Sequence, residues 1–417
     1  MDNRPVCIFD SGLGGLTAVA ALKEILPNEN IIYFGDSGRC PYGVRPRGQL
    51  RAMTMQSLTF LSQFGCKAIV AACGTIAANS LDILDSYEIP VFNVLVPSVR
   101  RAAQSAGTGP LAVIATEASI RSGLFQDQIA SLCSGREIMA VPCQDFVSLC
   151  ESGHIDKADP LLISVVERCL RPIKAADASA LLLGCTHFGI IGDAIADYMG
   201  DGTEIVSASR CAVEDLVAYL RKNDLLGGAG ISTFYTSGNT EEFDAMASAI
   251  LKDSYSGNSF HIDPEEYTAR YLQMAMEDND YELYTQLCGH PYEISGTVVH
   301  GKGLGRTVQM PTANLDLPGG QLVPNEGVYA SIVHLRSGTY IGLTSIGRRP
   351  SVDNEERITI ETHILDFDED IYDQNMTIEI RFFLRGVKKF ANLKSVRDQV
   401  EKDIEASRSK LEHLLLE

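Results

Sequence analysis

The sequence predicts two domains of different fold class. The first is an α/β doubly wound parallel-sheet domain made of two similar α/β lobes, and the second is a small antiparallel β-barrel domain with a C-terminal helix. Three observations support this prediction. The chain has 417 residues, more than one hydrophobic core commonly organises. Strand-like and helix-like segments alternate through residues 5–255, whereas short strand-like segments follow one another after about residue 290.

The first domain, predicted over residues 1–258, alternates short apolar runs with longer amphipathic ones. PVCIFD is followed by TAVAALKEILP, IIYFGD by QLRAMTMQSLTFLSQFG, and AIVAAC by TIAANSLDIL, which we expect to be one helix. PLAVIAT, EIMAVPC, ALLLGC and TEIVSAS continue the series of strands. This alternation is typical of a parallel sheet with helices on both faces. Ligands bind such sheets at the carboxyl ends of the strands, where several of these runs end in Cys, Asp or Thr.

A helical linker is predicted over residues 259–290, and the barrel domain over residues 291–417. The linker segment PEEYTARYLQMAMEDNDYELYTQLCG has the spacing of one or two helices. The strands expected after it are YEISGTVVHG, GVYASIVHL, TYIGLTSIG, RITIETHIL and MTIEIRFFL, separated by Gly, Pro and Asn. The charged, helically spaced segment SVRDQVEKDIEASRSKLEHLL predicts the closing helix.

Composition excludes several classes of partner. The net charge of −19 disfavours nucleic acid, because Lys and Arg must neutralise its phosphates. Neither a membrane segment nor a secretory signal is expected from the sequence. The eleven cysteines are therefore expected to be reduced thiols, which favours a cytoplasmic location.

Two cysteines at strand ends are candidates for one catalytic site. Cys73 closes KAIVAAC and Cys185 closes ALLLGC. Strand ends that share a sheet edge can bring both thiols to one cleft. The alternative is that both are packing residues, since free cysteine is among the most buried residue types. Asp10 after the first strand and His187 beside Cys185 favour catalysis, because carboxylate and imidazole groups can set which thiol is ionised. Two thiols on opposite faces of a carbon acid can invert it without a cofactor.

The motifs of this region resemble glutamate racemase, within the aspartate and glutamate racemase superfamily. FDSGLGG, GDSGRCPYG, ACGT, ATEAS, CQDFVSLCE and GCTH occur in this order over about residues 5–255. The resemblance implies that Cys73 and Cys185 are the acid/base thiols, with Asp10 beside the first and Glu151 and His187 supporting the second. It also implies that the substrate is glutamate, that the enzyme takes part in peptidoglycan synthesis and that it needs no cofactor. A homodimer through this domain is left open. The residues expected to line the substrate site are Ser11, Pro41, Tyr42, Gly43, Thr75, Ser119 and Thr186.

The chain departs from this pattern mainly at Gly74, where the family usually has Asn. The loss of that side chain leaves two alternatives open, a catalytically inactive amino-acid-binding module or a racemase for another amino acid such as aspartate. If the missing amide weakens the enzyme, Gly74→Asn is expected to raise activity on glutamate by an amount that corresponds to the free energy of about one hydrogen bond. Cys40 and the remaining cysteines are expected to be structural, and the lack of a CxxC pair argues against structural zinc.

A glycine-rich loop, VVHGKGLGRTVQMPTANL, is the main candidate site of the second domain. Its glycines let backbone amides approach phosphates, its basic side chains add charge, and Thr312 and Asn314 offer oxygen ligands for Mg²⁺. The alternative is a plain hairpin with a solvated basic tip. Glu361 in RITIETHILDF is expected to face inward as a base, or else to be a water-exposed carboxylate. The residues expected to bind nucleotide are Gly301, Lys302, Gly303, Gly305 and Arg306.

From about residue 265 to the end, the chain resembles riboflavin kinase, specifically the kinase half of the bacterial bifunctional flavokinase and FAD synthetase. LCGHPYEISGTVVHG, PTANL, GVYA, SIGRRPSV, ETHILDFDEDIY and KKFANL carry the resemblance. It implies riboflavin, ATP and Mg²⁺ as reactants, with Thr312 and Asn314 meeting the metal and phosphates. Glu361 would then be the base toward the ribityl 5′-hydroxyl. Because the adenylyltransferase half is missing, the product is expected to be FMN.

Overall fold

The computed structural model divides into two compact units, Met1–Tyr267 and Thr268–Glu417. It describes residues 2–105, 107–133, 135–255, 257–301, 310–317, 323–350, 356–388, 390 and 392–415. The division falls inside the segment predicted to be a linker, and the exact domain limits at residues 258 and 290 stay predictions. Among the described residues, no helix combines the length and apolar character that a membrane span requires.

The first unit contains two parallel sheets, which confirms the doubly wound α/β prediction and its two lobes. The six-stranded sheet has the order β10-β9-β2-β1-β3-β4, and the four-stranded sheet has the order β6-β5-β7-β8. The strands are β1 (Val6–Asp10), β2 (Ile31–Gly35), β3 (Ala68–Ala71), β4 (Val91–Asn93), β5 (Leu111–Ala115), β6 (Ile138–Pro142), β7 (Ala180–Leu183), β8 (Glu204–Ser207), β9 (Ser232–Thr236) and β10 (Ser259–His261).

Helices cover these sheets because the strands are apolar on both faces. Every residue of β1, β3, β5 and β7 is buried. The helices are α1 (Leu16–Ile25), α2 (Arg47–Ser62), α3 (Gly74–Asn79), α4 (Leu81–Ser86), α5 (Leu95–Ala103), α6 (Glu117–Arg121), α7 (Leu124–Leu132), α8 (Gln144–Glu151), α9 (Pro160–Ala175), α10 (Thr186–Ile190), α11 (Gly192–Met199), α12 (Ala208–Lys222) and α13 (Thr240–Leu251). The boundary between the two units falls within the next helix, α14 (Pro264–Glu277).

The segment TIAANSLDIL forms two helices, so the expectation of one continuous helix was wrong. Helices α3 and α4 meet at Ser80, whose φ of −135° and ψ of 24° lie outside the helical range. Ser80 is fully buried, and its side-chain oxygen accepts a hydrogen bond of 3.1 Å from the Thr54 hydroxyl. Ser80 is thus bonded to a residue of α2 at the point where the helix breaks.

The second unit is a closed antiparallel barrel followed by a helix, as predicted. The strand order is β11-β12-β15-β14-β13-β16. Strand β12 was not predicted, because its four residues follow the Pro311 turn and are too few to show an alternating pattern. The elements are α15 (Tyr281–Cys288), β11 (Tyr292–Val299), β12 (Ala313–Asp316), β13 (Gly327–Leu335), β14 (Gly338–Pro350), β15 (Glu356–Ile364), β16 (Asn375–Arg385) and α16 (Leu393–Leu411).

Each unit has its own hydrophobic core, which makes independent folding a testable expectation. The barrel interior packs Tyr329, Ile378 and Ile380, while Leu411 of α16 is buried in a second cluster with Ala330. A fragment that begins near residue 262 should therefore fold alone, as one cooperative thermal transition followed by circular dichroism. A fragment without a cooperative transition would show instead that the barrel requires the preceding unit.

Candidate active sites

Both predicted catalytic thiols lie at the carboxyl edges of the two sheets in the first unit. Cys73 follows β3 of the six-stranded sheet and directly precedes α3. Cys185 follows β7 of the four-stranded sheet and directly precedes α10. Their exposed fractions are only 3% and 6%. The structure thus places one buried thiol on each lobe.

Asp10, at the end of β1, connects the loops that carry the two thiols. One carboxylate oxygen accepts a 2.9 Å hydrogen bond from the Gly12 amide, and the other accepts one of 2.9 Å from the Thr186 hydroxyl. The Cys73 thiol donates to the Ser11 hydroxyl at 3.5 Å. Burial raises the pKa of Asp10, and burial together with the Asp10 carboxylate raises the pKa of Cys73 to about 12. Cys73 is therefore a protonated thiol at neutral pH in this conformation.

Cys185 has a different set of neighbours. Its sulfur lies 3.8 Å from Nδ1 of His187, and Nε2 of the same ring lies 2.5 Å from Oε1 of Glu151. Burial alone would lower the pKa of His187, but hydrogen bonds and charge attraction with Cys185 and Glu151 raise it well above its usual value. Burial opposes ionisation of Glu151, but its hydrogen bond and attraction to His187 leave its pKa below the usual value. This arrangement favours an imidazolium–carboxylate pair beside Cys185.

A chain of hydroxyl groups joins the predicted substrate residues Thr75 and Ser119 through a residue that the sequence analysis missed. The Thr116 hydroxyl lies 2.9 Å from each of their side-chain oxygens. Thr116 also caps α6 by accepting a hydrogen bond from the Ser119 amide. The sequence feature that could have identified Thr116 is its place in ATEAS, one of the motifs that carry the family resemblance.

The predicted substrate residues of the Pro41–Gly43 segment differ in their exposure and in their contacts. Pro41 is exposed, whereas Tyr42 is buried and its hydroxyl donates to Asp36. Gly43 is packed so closely that a Cβ there would lie 2.7 Å from the Cβ of Thr116. Cys40, which was expected only to pack, has its sulfur within 4.8 Å of a Glu151 carboxylate oxygen. No residue near Cys40 in the sequence indicates that its sulfur lies beside Glu151.

Gly74 makes the closest approach between the two thiol loops. A Cβ at this position would lie 1.9 Å from the carbonyl oxygen of Gly184 and 3.5 Å from the Cα of Cys185. Any side chain here therefore requires one backbone to move. An asparagine at position 74 would have to displace the Gly184 backbone before its amide could reach a substrate, and the higher activity expected for Gly74→Asn stays a prediction.

The substitution Gly74→Ala tests this close approach. It should lower the free energy of unfolding of the first unit by about 1–3 kcal/mol, because a methyl group is forced against backbone. Gly48→Ala in α2 is the matched control, since nothing lies within 4 Å of a Cβ there and alanine favours the helix. Thermal midpoints followed by circular dichroism measure both. Equal midpoints for the two variants would contradict the contact.

In the second unit, a cavity of about 250 Å³ contains the predicted metal ligands Thr312 and Asn314. The side chain of Asn314 lies so close to Gly301 that a Cβ at Gly301 would be 2.2 Å from its amide nitrogen. Glu361 pairs directly with Asn314 across β12 and β15 and is half-buried, but it is not part of the cavity wall. Lys302, Gly303, Gly305 and Arg306 lie outside the described residues.

The cavity wall also contains three consecutive acidic residues that the sequence analysis did not assign to the site. They are Asp368, Glu369 and Asp370, in the segment after β15. Tyr372 lines the same wall, and its ring centroid lies 3.7 Å from that of His300. The oxygen atoms of Thr312, Asn314 and the acidic residues fit the ligand preference of Mg²⁺.

Comparison with known proteins assigns a family to each part of the chain. A family model described as Asp/Glu/Hydantoin racemase matches residues 17–216, and one described as Riboflavin kinase matches residues 288–411. The glutamate racemase of Corynebacterium diphtheriae is 36% identical over 255 residues, which cover 60% of this chain and 95% of that protein. The glutamate racemase of Mycobacterium avium is 37% identical over 262 residues, covering 61% of this chain and 94% of that protein.

Solved structures give the same assignment for the first part. The glutamate racemase of Francisella tularensis in complex with D-glutamate has a TM-score of 0.57 and 33% identity, covering 64% of this chain and all of that one (100%). A glutamate racemase isoform from Bacillus anthracis has a TM-score of 0.59 and 29% identity, covering 63% of this chain and 98% of that one. The chain belongs to the glutamate racemase family, and its C-terminal part is a riboflavin kinase domain.

Proposed function

We propose that the protein is a bifunctional enzyme that racemises glutamate with two thiols and phosphorylates riboflavin to FMN with ATP and Mg²⁺. The observation that carries the first activity is the placement of Cys73 and Cys185 on the facing loops of two lobes, each with its own proton partner. The Francisella relative was solved with D-glutamate, which supports glutamate as the substrate. D-glutamate supply for peptidoglycan follows from this substrate.

In the proposed racemisation, one thiolate removes the α-proton and the opposite thiol donates a proton to the other face of the carbanion. Cys185 is the proposed base in this direction, because an imidazolium at His187 beside it stabilises a thiolate. Protonated Cys73 is then the acid. The thiols exchange roles in the reverse direction, and the proton count balances without a cofactor. Hydroxyl groups of Ser11, Thr75, Ser119 and Thr186, among others, bind the substrate carboxylates in this proposal.

One observation favours the alternative of an inactive amino-acid-binding module. The backbone of Gly74 contacts that of Gly184 between the thiol loops, which leaves no room there for the side chain that the family usually has at this position. Incubation with L-amino acids in D₂O distinguishes the alternatives, because a racemase exchanges the α-proton whereas a binding module does not. The same assay with aspartate tests the other substrate.

Cys73→Ser and Cys185→Ser should each abolish racemisation of glutamate, because a serine hydroxyl is too weak an acid to replace a thiol at neutral pH. Circular dichroism on L- and D-glutamate measures the loss. Each variant keeps one thiol and can still exchange the α-proton of one enantiomer. Cys211→Ser, a core position in α12, is the control and should remain active. Racemisation by either active-site variant at the wild-type rate would contradict the mechanism.

In the second unit, Thr312 and Asn314 would hold Mg²⁺ with the nucleotide phosphates. The metal would neutralise charge on the transferred phosphoryl group. Gly301, next to Asn314, lets the backbone approach the phosphates, and the neighbouring loop residues Lys302, Gly303, Gly305 and Arg306 would add amides and positive charge. Glu361 is the proposed base toward the riboflavin hydroxyl. Its position directly opposite Asn314 supports this role.

Glu361→Gln should remove most riboflavin phosphorylation but leave riboflavin and nucleotide binding largely intact, because the amide cannot accept the hydroxyl proton. FMN formation by chromatography and flavin binding by fluorescence measure the two effects. Glu282→Gln, on the exposed face of α15, is the matched control. Wild-type turnover by Glu361→Gln would exclude the residue as base.

A cytoplasmic location is part of the proposal, since all eleven cysteines are free thiols, the state that reducing compartments maintain. Dimerisation through the first unit stays a prediction that the size of the protein in solution can test.

A further inference from the structure

Three potential metal ligands of different chemical types converge beside the catalytic histidine. The sulfur of Cys40, a carboxylate oxygen of Glu151 and a ring nitrogen of His187 all lie within 4.8 Å of one another. They come from the loop after β2, the end of α8 and the start of α10. Thiolate, carboxylate and imidazole are the ligand types that Zn²⁺ prefers, and three protein ligands with a water are typical of open zinc sites.

The hydrogen bonds identify which atoms face a metal. Nε2 of His187 points at Glu151 with a separation of 2.5 Å, whereas Nδ1 faces Cys185 at 3.8 Å. Nε2 is therefore the ring nitrogen on the Glu151 side. The Leu13 amide donates to Oε1 of Glu151 at 3.2 Å and so orients the carboxylate, as supporting groups do in metal sites.

The space around the cluster suits a small ion. Tetrahedral zinc with bonds of about 2.0–2.3 Å needs donor atoms roughly 3.2–3.8 Å apart. The His187 and Glu151 atoms, which lie 2.5 Å apart, must therefore separate by roughly 1 Å, and the Cys40 sulfur must come within the same range of both. Rotation of the Cys40 and Glu151 side chains can supply this movement. The Glu151 side chain is 22% exposed while that of His187 is 1% exposed, so a metal and its water enter from the Glu151 side. Gly12 leaves this space free, since a Cβ there would lie 2.4 Å from Oε1 of Glu151.

We propose that Cys40, Glu151 and His187 form a site for Zn²⁺, and that the bound ion inhibits racemisation. On binding, the Cys40 thiol and the His187–Glu151 pair each release a proton to solvent. With Nε2 bonded to the metal, His187 no longer takes up a proton there to support Cys185. The inhibition rests on the proposed racemase activity, but metal binding does not.

Co²⁺ is a spectroscopic substitute that detects binding without any activity assay. The full-length protein titrated with Co²⁺ should develop the thiolate-to-cobalt charge-transfer absorption of the near ultraviolet. The described cavity of the kinase domain offers oxygen ligands and adds no such absorption. Cys40→Ser should lose the band, whereas Cys211→Ser should keep it. A band that persists in Cys40→Ser, or that is absent from the wild type, would overturn the site.

Zinc titration of racemase activity tests the consequence, with each variant compared to its own zinc-free rate. Cys40→Ser should need at least roughly tenfold more Zn²⁺ for half inhibition, the cost of losing even a supporting group at a metal site. Equal sensitivity of the wild type and Cys40→Ser would refute inhibition through this site. If the wild type shows no racemisation while the cobalt band depends on Cys40, the proposed function fails and the metal site stands.

Discussion

The contact between two loops, one from each sheet of the first unit, is the constraint on which the racemase site depends. The glycine backbones at 74 and 184 touch, and the Thr186 hydroxyl binds the Asp10 carboxylate across the same boundary. Because no side chain intervenes, the loops carrying Cys73 and Cys185 share one water-poor environment. Removal of water strengthens every electrostatic interaction between the groups enclosed there.

That shared burial has opposite consequences for the two thiols. Beside Cys73, burial raises the pKa of Asp10, and burial together with the Asp10 carboxylate raises the pKa of Cys73. Beside Cys185, Glu151 and His187 compensate each other, so a charge pair persists although the histidine is buried. The neighbours of each thiol, rather than its degree of burial, are what distinguish the proposed acid from the proposed base. The same pair supplies two of the three ligands of the proposed metal site.

In the second unit, the register between paired strands positions the candidate site residues, as the contact between two loops does in the first unit. The pairing of β12 with β11 and β15 sets Asn314 opposite Val299 on one side and Glu361 on the other. The closed barrel fixes this register, because a slip by one residue would turn the alternating apolar residues out of the core. The proposed metal ligand and the proposed base are thus positioned by the same hydrogen-bond ladder that holds the barrel together.

The sequence by itself determined the fold classes and the motifs of both domains, and it predicted Cys73 and Cys185 as the pair of thiols in one site. Periodicity and short motifs such as GCTH and PTAN are local, and local patterns survive in a linear chain. The tertiary structure alone decided the contacts between distant segments: Gly74 with Gly184, Cys40 with Glu151 and His187, and the acidic residues at the Asn314 cavity. The same holds for the break at Ser80, since a buried partner on α2 is visible only after packing. These contacts join residues that are far apart in the sequence. The local spacing of residues carries no information about which distant segments meet in the fold.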